Sequence, residues 1–313
     1  MKKIVWLSFC VFLGLKTYGQ QKSISITIDD IPNTEKFQQD GFRSVLLDRL
    51  DSLDIPFTIF INEKKVFQTD FLDKNKNLLA RWIAHENSTP GNHGYSHLRY
   101  SEVGFDDFVQ DINKGLKLSD SIAMLHDKSM DSFRFPFNDL GKDSVQQAQI
   151  RSFLKFVGDR IAPFTIESSD WMFDSVYRYY LENGEEEKAR KIGESYVTKT
   201  LELVRFFEEM AAEIYHRPIS HIYLCHDNVI NAAFLDDIVS ELSQEGYSIV
   251  PFEDSLKDPV YDQEDNYFQK WGVSWLYRWM DSQEERVGWM KKEPDLTEIQ
   301  RISEHISQIQ SHK

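Results

Sequence analysis

Cysteine is almost missing from this 313-residue chain, with two in all, Cys10 and Cys225. Cys10 lies in an apolar run near the N-terminus, which leaves Cys225 alone for the rest of the chain. An intramolecular disulfide and a cysteine-based zinc site are both excluded there, so stability has to come from a core. Basic charge is also short: 36 Lys and Arg stand against 51 Asp and Glu, a formal net charge of -15. No broad positive field is available to draw in nucleic acid or an anionic membrane. A neutral or weakly charged substrate fits better. Long apolar runs are scarce too. Residues 4–15 (IVWLSFCVFLGL) form a run of 12, too short to span a bilayer comfortably, and no later run is long enough to anchor the chain.

Lys2 and Lys3 precede that run, and Thr17-Tyr18-Gly19 and then Gln20-Gln21 follow it. Positive residues, an apolar stretch, a small residue and then polar residues is the order of a secretory signal. Residues 1–19 are therefore expected to be a signal peptide, and the mature protein to be secreted or periplasmic. Cleavage would take away Lys2, Lys3 and Lys16 and leave a charge of about -18.

What is present is enough apolar material for a sizeable core, 41% hydrophobic and 13% aromatic. Strand-like segments alternate with helix-like ones. Residues 23–28, 56–61, 132–137, 164–166, 221–225 and 247–251 read as strands. Residues 78–85, 106–125, 145–157 and 232–242 have helical spacing. This alternation predicts an α/β protein built on a parallel sheet or barrel. Residues 174–216 read as a helical insertion, two helices broken near Asn183-Gly184. The acidic run 185–187 inside it suits a helix start, where carboxylates meet the positive end of the dipole. In the polar tail, Trp271, Trp275 and Trp279 recur every four residues. That places them on one helical face packed against the main domain, or else makes them a sugar-stacking surface. The expected division is a barrel over 20–257, carrying the 174–216 insertion, and a helical extension over 258–313.

The stretch SISITIDDIPN, residues 23–33, ends a strand in two adjacent carboxylates, Asp29 and Asp30. The other Asp pairs, Asp106-Asp107 and Asp236-Asp237, lie in helix-like segments where solvent screens them. At the C-terminal end of a parallel strand, where active faces form, a pair of carboxylates calls for a cation between them. PGNHGYSHL, residues 90–98, supplies candidates. It reads as a turn or the start of a helix, and His93 and His97, four apart, can reach one ion. One Asp and two His make three ligands with a position left for water, the pattern of a catalytic rather than a structural site. Arg134 in FRFPFND can neutralise the carboxylate not on the ion. IESSDWMF sets Asp170 beside Trp171. In IYLCHDN, period two sends Leu224 and His226 to one face and Cys225 to the other.

Together these five segments resemble the polysaccharide deacetylases, the carbohydrate esterases of family four. The family's T-x-D-D appears as Thr27-Ile28-Asp29-Asp30, its H-x-x-x-H as His93 to His97, and its R-x-P-F/Y as Arg134-Phe135-Pro136-Phe137. Its D-x-x-D-W appears as Glu167-Ser168-Ser169-Asp170-Trp171, and its L-x-H as Leu224-Cys225-His226. The resemblance implies a distorted (β/α) barrel and one divalent cation on Asp30, His93 and His97. Zinc is the first expectation, with cobalt, nickel or manganese as alternatives. It implies Asp29 as the base that takes a proton from the attacking water, Arg134 as the group that holds Asp29, and His226 as the acid that protonates the leaving amine. Asp170 would pair with His226 or join the Arg134 network. Trp171 and Leu224 would line the acetyl pocket, and the backbone N–H of Phe137 would hold the oxyanion.

Two positions depart from the family pattern. Glu167 stands where Asp is usual, and Gly94 stands where a hydroxyl residue would brace the loop. Neither change removes a ligand, base or acid. The reading is a monomeric, metal-dependent hydrolase of carbon–nitrogen bonds that removes N-acetyl groups from GlcNAc-type glycans. The alternatives are an O-acetyl xylan or matrix-glycan esterase, a non-sugar amidohydrolase, and a catalytically silent glycan-binding barrel.

Overall fold

The computed structural model describes residues 22–311; the expected signal peptide, 1–19, lies outside the described residues. Eight parallel strands make one curved sheet: β1 (Ser23–Ile31), β2 (Phe57–Ile61), β3 (Ser88–Asn92), β4 (Ser132–Phe133), β5 (Arg160–Ile161), β6 (Ile166–Glu167), β7 (Ser220–His226) and β8 (Ser248–Ile249). Their order is β5-β4-β3-β2-β1-β7-β6, with β8 pairing the start of β1. Helices surround this sheet, giving the half-barrel of a (β/α) fold.

Strand β1 shows why the sheet curls around a site. Ile24, Ile26 and Ile28 are fully buried in the large core shared with the helices. The alternate residues Ser25, Thr27 and Asp29 are buried as well, although they are polar. They share the sheet's other face with a small apolar cluster of Phe60, Phe164, Ile222 and Leu224. Leu224 thus lies in the inner cluster while Cys225 lies in the outer core, as period two requires. No ladder joins β5 to β6 among the described residues. Residues 162–165 carry the chain between these edges, with Ala162 N–H donating to Phe133 at 2.8 Å and Thr165 N–H donating to Ile222 at 2.9 Å.

Several elements differ from the sequence expectations. Residues 106–125 are two helices, Phe105–Lys114 and Ser119–Leu125. The break is held by Glu63, whose Oε1 accepts from the N–H of Leu118 and Ser119 at 2.7 and 2.6 Å. The segment read as a turn at 90–92 is the end of β3. Its Pro90 is tolerated because β3 pairs with β4 only at Asn92, so the strand is still an edge on that side. The strand expected over 132–137 stops at Phe133, because Phe137 and Asn138 turn left-handed (φ 59° and 48°).

Residues 174–216 lie in helices Asp170–Glu182 and Glu186–Tyr215 and the residue after them, with the break at Asn183 and Gly184. The tail does not form the expected three-Trp helical face. The helix that holds Trp275 covers only Trp275–Arg278, because Ser274 caps it and starts it after Trp271; the tail's other α-helices are Gln283–Met290 and Thr297–Ser311. Trp275 and Trp279 are buried, whereas Trp271 is exposed.

Candidate active site

The two carboxylates at the end of β1 reach the same mouth through a backbone irregularity. Consecutive strand residues normally face opposite sides. Here the β1/β2 register shifts between Ile28 and Ile31, and Asp30 adopts φ 69°. A bulge of this kind re-aims a side chain. It brings Asp30 to the C-terminal mouth beside Asp29. The left-handed conformation is held by Lys65, whose Nζ donates to the Asp30 carbonyl at 3.0 Å and sits 3.3 Å from Oδ2.

His93 follows directly on β3. Its Nδ1 is 2.7 Å from the Arg134 carbonyl oxygen. A carbonyl can only accept, so Nδ1 carries the proton and the Nε2 lone pair faces the mouth. His97 reaches the same point from the loop, at φ 58°. Its Nε2 is 3.6 Å from Asp30 Oδ1, and that of His93 is 3.9 Å from it. The ligand atoms of Asp30, His93 and His97 all lie within 4.8 Å of one another. Ligands at about 2.1 Å around a tetrahedral ion stand roughly 3.4 Å apart, so this spacing suits a small divalent cation. Asp30 Oδ1 is buried with no hydrogen-bond partner, an orphan that a cation would satisfy. Burial pushes both imidazoles down to a pKa of about 4, which keeps them neutral for ligation. Burial would raise Asp30, but Lys65 and the surrounding histidines outweigh it and keep the carboxylate ionised. The donor set therefore fits a divalent ion.

The loop between the histidines is braced by a group the sequence reading missed. Asp111, in helix Phe105–Lys114, accepts from the N–H of Tyr95 at 2.9 Å and of Ser96 at 3.0 Å. A Cβ on Gly94, at φ 75°, would lie 2.7 Å from Asp111 Oδ2. Glycine thus leaves room for a carboxylate brace where a hydroxyl was expected.

Asp29 is almost fully buried. Arg134 Nη1 lies 3.7 Å from its Oδ1, and His93 Nε2 lies 3.7 Å from its Oδ2. Arg134 has no exposed surface; its Nη2 donates to Thr27 Oγ1 and the Pro163 carbonyl, and its guanidinium stacks 4.5 Å from the Phe60 ring. Burial raises the Asp29 pKa above 3.8, and Arg134 offsets this only in part.

At the end of the neighbouring strand β7, Asp170 accepts from His226 Nδ1 at 2.7 Å and from the His226 N–H at 2.8 Å. Asn228 and Asn231 donate to the same carboxylate at 3.0 and 2.6 Å. Burial alone would lower His226, but the charge and hydrogen bond of Asp170 push it up to about 10. Asp170 belongs to His226, therefore, and not to the Arg134 network. Glu167 accepts from Ser169 N–H at 2.6 Å, and burial with the nearby Asp170 charge lifts it to about 7. Phe137 packs its ring 4.4 Å from that of His97. Trp171 is exposed and Leu224 nearly covered.

The family model for polysaccharide deacetylases matches residues 16–151. That N-terminal stretch is similar to a polysaccharide deacetylase domain. The match takes in Asp29, Asp30, His93, His97 and Arg134; the deacetylase-like motifs at Asp170-Trp171 and Leu224–His226 lie beyond it. Among solved structures, the chain is similar to a mutant of BA3943, a carbohydrate esterase family four pseudoenzyme. That match has 15% identity and a TM-score of 0.53, over 77% of this chain and 69% of that one. Wild-type BA3943 from Bacillus anthracis matches at 16% identity and a TM-score of 0.50, over 77% and 67%. The polysaccharide deacetylase Bc1974 from Bacillus cereus matches at 20% identity and a TM-score of 0.49, over 74% and 92%. No curated protein matches the chain. The likeness to BA3943 shows the fold of the deacetylase half-barrel.

Proposed function

We propose that this chain is a secreted polysaccharide deacetylase that removes N-acetyl groups from GlcNAc-type glycans. The observation that carries the reading is the gathering of one cation-ready cluster and two proton-transfer groups of opposite character at one rim of the sheet. Asp29, paired with Arg134, and His226, paired with Asp170, stand on neighbouring strands at the rim that carries the cluster.

Asp30, His93 and His97 would hold a divalent ion, zinc before cobalt, nickel or manganese. The ion would supply Lewis acidity toward the acetyl carbonyl and the attacking water. Asp29, ionised beside Arg134, takes the proton of that water. The Phe137 N–H holds the oxyanion, while Trp171 and Leu224 bound the acetyl methyl. His226 gives its proton to the departing nitrogen. An amide leaves poorly without that proton, so an acid held protonated through neutral pH is what N-deacetylation needs. Secretion rests on residues 1–19, and among the described residues no helix is long and apolar enough to cross a membrane. The barrel, insertion and tail limits at 20–257, 174–216 and 258–313, and a monomeric state, belong to the same proposal.

The pseudoenzyme among the similar folds favours one rival, a silent glycan-binding barrel. The test is acetate release from a panel of N-acetylated and O-acetylated glycans, with the apoprotein reloaded with each metal. Release from N-acetylated chitooligosaccharides supports the proposal. Release only from acetylated xylan turns the site to esterase work, and binding without turnover under every metal supports the silent barrel.

A further inference from the structure

Phe137 and Asn138 are consecutive non-glycine residues in the left-handed region, at φ 59° and 48°. Such conformations persist only when the surroundings impose them. The surroundings here come from the far end of the chain. Gly272 packs so tightly that a Cβ on it would overlap the Phe137 carbonyl oxygen, and would stand 3.1 Å from the Phe137 carbonyl carbon and 3.3 Å from Asn138 Cβ. The Asn138 amide spends both ends on the same segment. Its Nδ2 donates to the Val273 carbonyl at 2.8 Å, and its Oδ1 accepts from Trp275 Nε1 at 3.3 Å.

That segment is itself tied to the open seam of the half-barrel. Ser274 Oγ donates to the Thr165 carbonyl at 2.7 Å, and Trp275 N–H donates to Phe164 at 3.0 Å. Farther along, buried Arg278 grips Asp265 at 2.6 Å. On its other side, the Phe137 ring meets His97 and lies 3.9 Å from the Arg99 guanidinium. The loop is thus clamped between the cation-ligand loop and residues 272–275.

We propose that residues 272–275 of the C-terminal extension are a positioning element of the active site: they fix Phe137 and Asn138 so that the Phe137 N–H faces the developing oxyanion. This rests on the deacetylase reading. Asn138 is then a positioning residue, acting through Phe137.

The experiment uses the full mature chain. Asn138→Gly keeps the left-handed backbone easy and deletes both side-chain clamps. Trp275→Phe keeps the ring and deletes one donor, and Gly272→Ala pushes against the Phe137 carbonyl. For each variant, kcat and KM on a chitooligosaccharide are measured with bound metal. The expected result is a kcat loss of about tenfold or more in Asn138→Gly and Gly272→Ala, a smaller loss in Trp275→Phe, and near-constant KM and metal content. Wild-type kcat in Asn138→Gly overturns the proposal. So does a kcat loss that tracks loss of metal, which would make the tail merely structural. Hydrogen exchange at the amides of Asn138 and Asp139, which donate to Phe135 and Pro136 at 2.9 and 3.1 Å, reads the clamp without turnover. If wild type releases no acetate, the deacetylase reading fails. Faster exchange confined to these amides in Asn138→Gly then still supports the clamp, and unchanged exchange sinks it.

Discussion

Asp29 and His226 are register partners on the adjacent parallel strands β1 and β7. The sheet itself therefore sets the two proton-transfer groups side by side at one rim, and each is then given its character by a partner from elsewhere. Asp29 faces buried Arg134, and His226 faces buried Asp170. Asp29→Asn should lower turnover by about 10²–10⁴-fold, the usual worth of a general base, while leaving metal content intact. His226→Ala should harm acetamide substrates more than aryl acetates, whose leaving group needs less protonation. Equal losses on the two substrate classes would remove His226 from the acid role.

The same pairings fix a pH profile. Burial lifts Asp29 above 3.8, so the acidic limb of kcat/KM should lie above the ordinary carboxylate range. Arg134 is what limits that rise, and Arg134→Met should move this limb to higher pH. His226 is raised to about 10 by Asp170, which puts the alkaline limb far above that of a free imidazole. Asp170→Asn should bring it down toward about 6.5. A pH–rate series on the three proteins checks both shifts, and limbs that stay in place would contradict them.

Stability carries the matching sign. The His226 pKa is higher in the folded chain, near 10, than in the unfolded one. Its protonated pairing with Asp170 therefore stabilises fully below about pH 6.5 and fades as pH climbs through the folded value. The difference in Tm between wild type and His226→Gln should be largest near pH 6 and shrink by pH 10. A difference that grows with pH would reverse the assignment.

The fold class was legible because its signals are local. The apolar alternation of β1, the β-rich PFTIFI run and the helical spacing of residues 145–157 each announce an element without outside help. The candidate site was legible as five motifs, since each carries its chemistry in adjacent letters. What the sequence hid lies in partners distant along the chain. Glu63 splits a helix by capping residues 55 and 56 positions away. Asn138 is held by a carbonyl 135 positions on. Lys65 steadies Asp30 from the turn after β2, where a lysine reads as an ordinary surface charge. The three-Trp stripe failed for a related reason: periodicity assumed one helix, while the Gly272 contact and the Ser274 cap start it after Trp271.

A ligand that binds only the folded chain raises its Tm, by about 2.7 kcal/mol of stabilisation at a hundredfold excess over Kd. Zinc added to chelator-treated protein should therefore raise Tm, and His97→Ala and Asp30→Asn should abolish the rise. Lys65→Met should weaken it without abolishing it, because Asp30 loses its support but keeps its carboxylate. A full zinc response in His97→Ala would exclude that imidazole as a ligand.

Gly94→Ala tests the loop that carries both imidazoles. The new Cβ meets two penalties, a left-handed backbone at φ 75° and a carboxylate oxygen 2.7 Å away. Asp111 cannot withdraw freely, since the same oxygen holds the N–H groups of Tyr95 and Ser96. The substitution should cost about 1–3 kcal/mol of stability and weaken zinc binding, because relief of the clash displaces the chain between His93 and His97. Asp111→Asn makes the complementary change, sparing the backbone but weakening the brace, and should lower zinc affinity with a smaller loss of Tm. If Gly94→Ala kept wild-type Tm and zinc affinity together, the Asp111 brace would not be what sets the histidines.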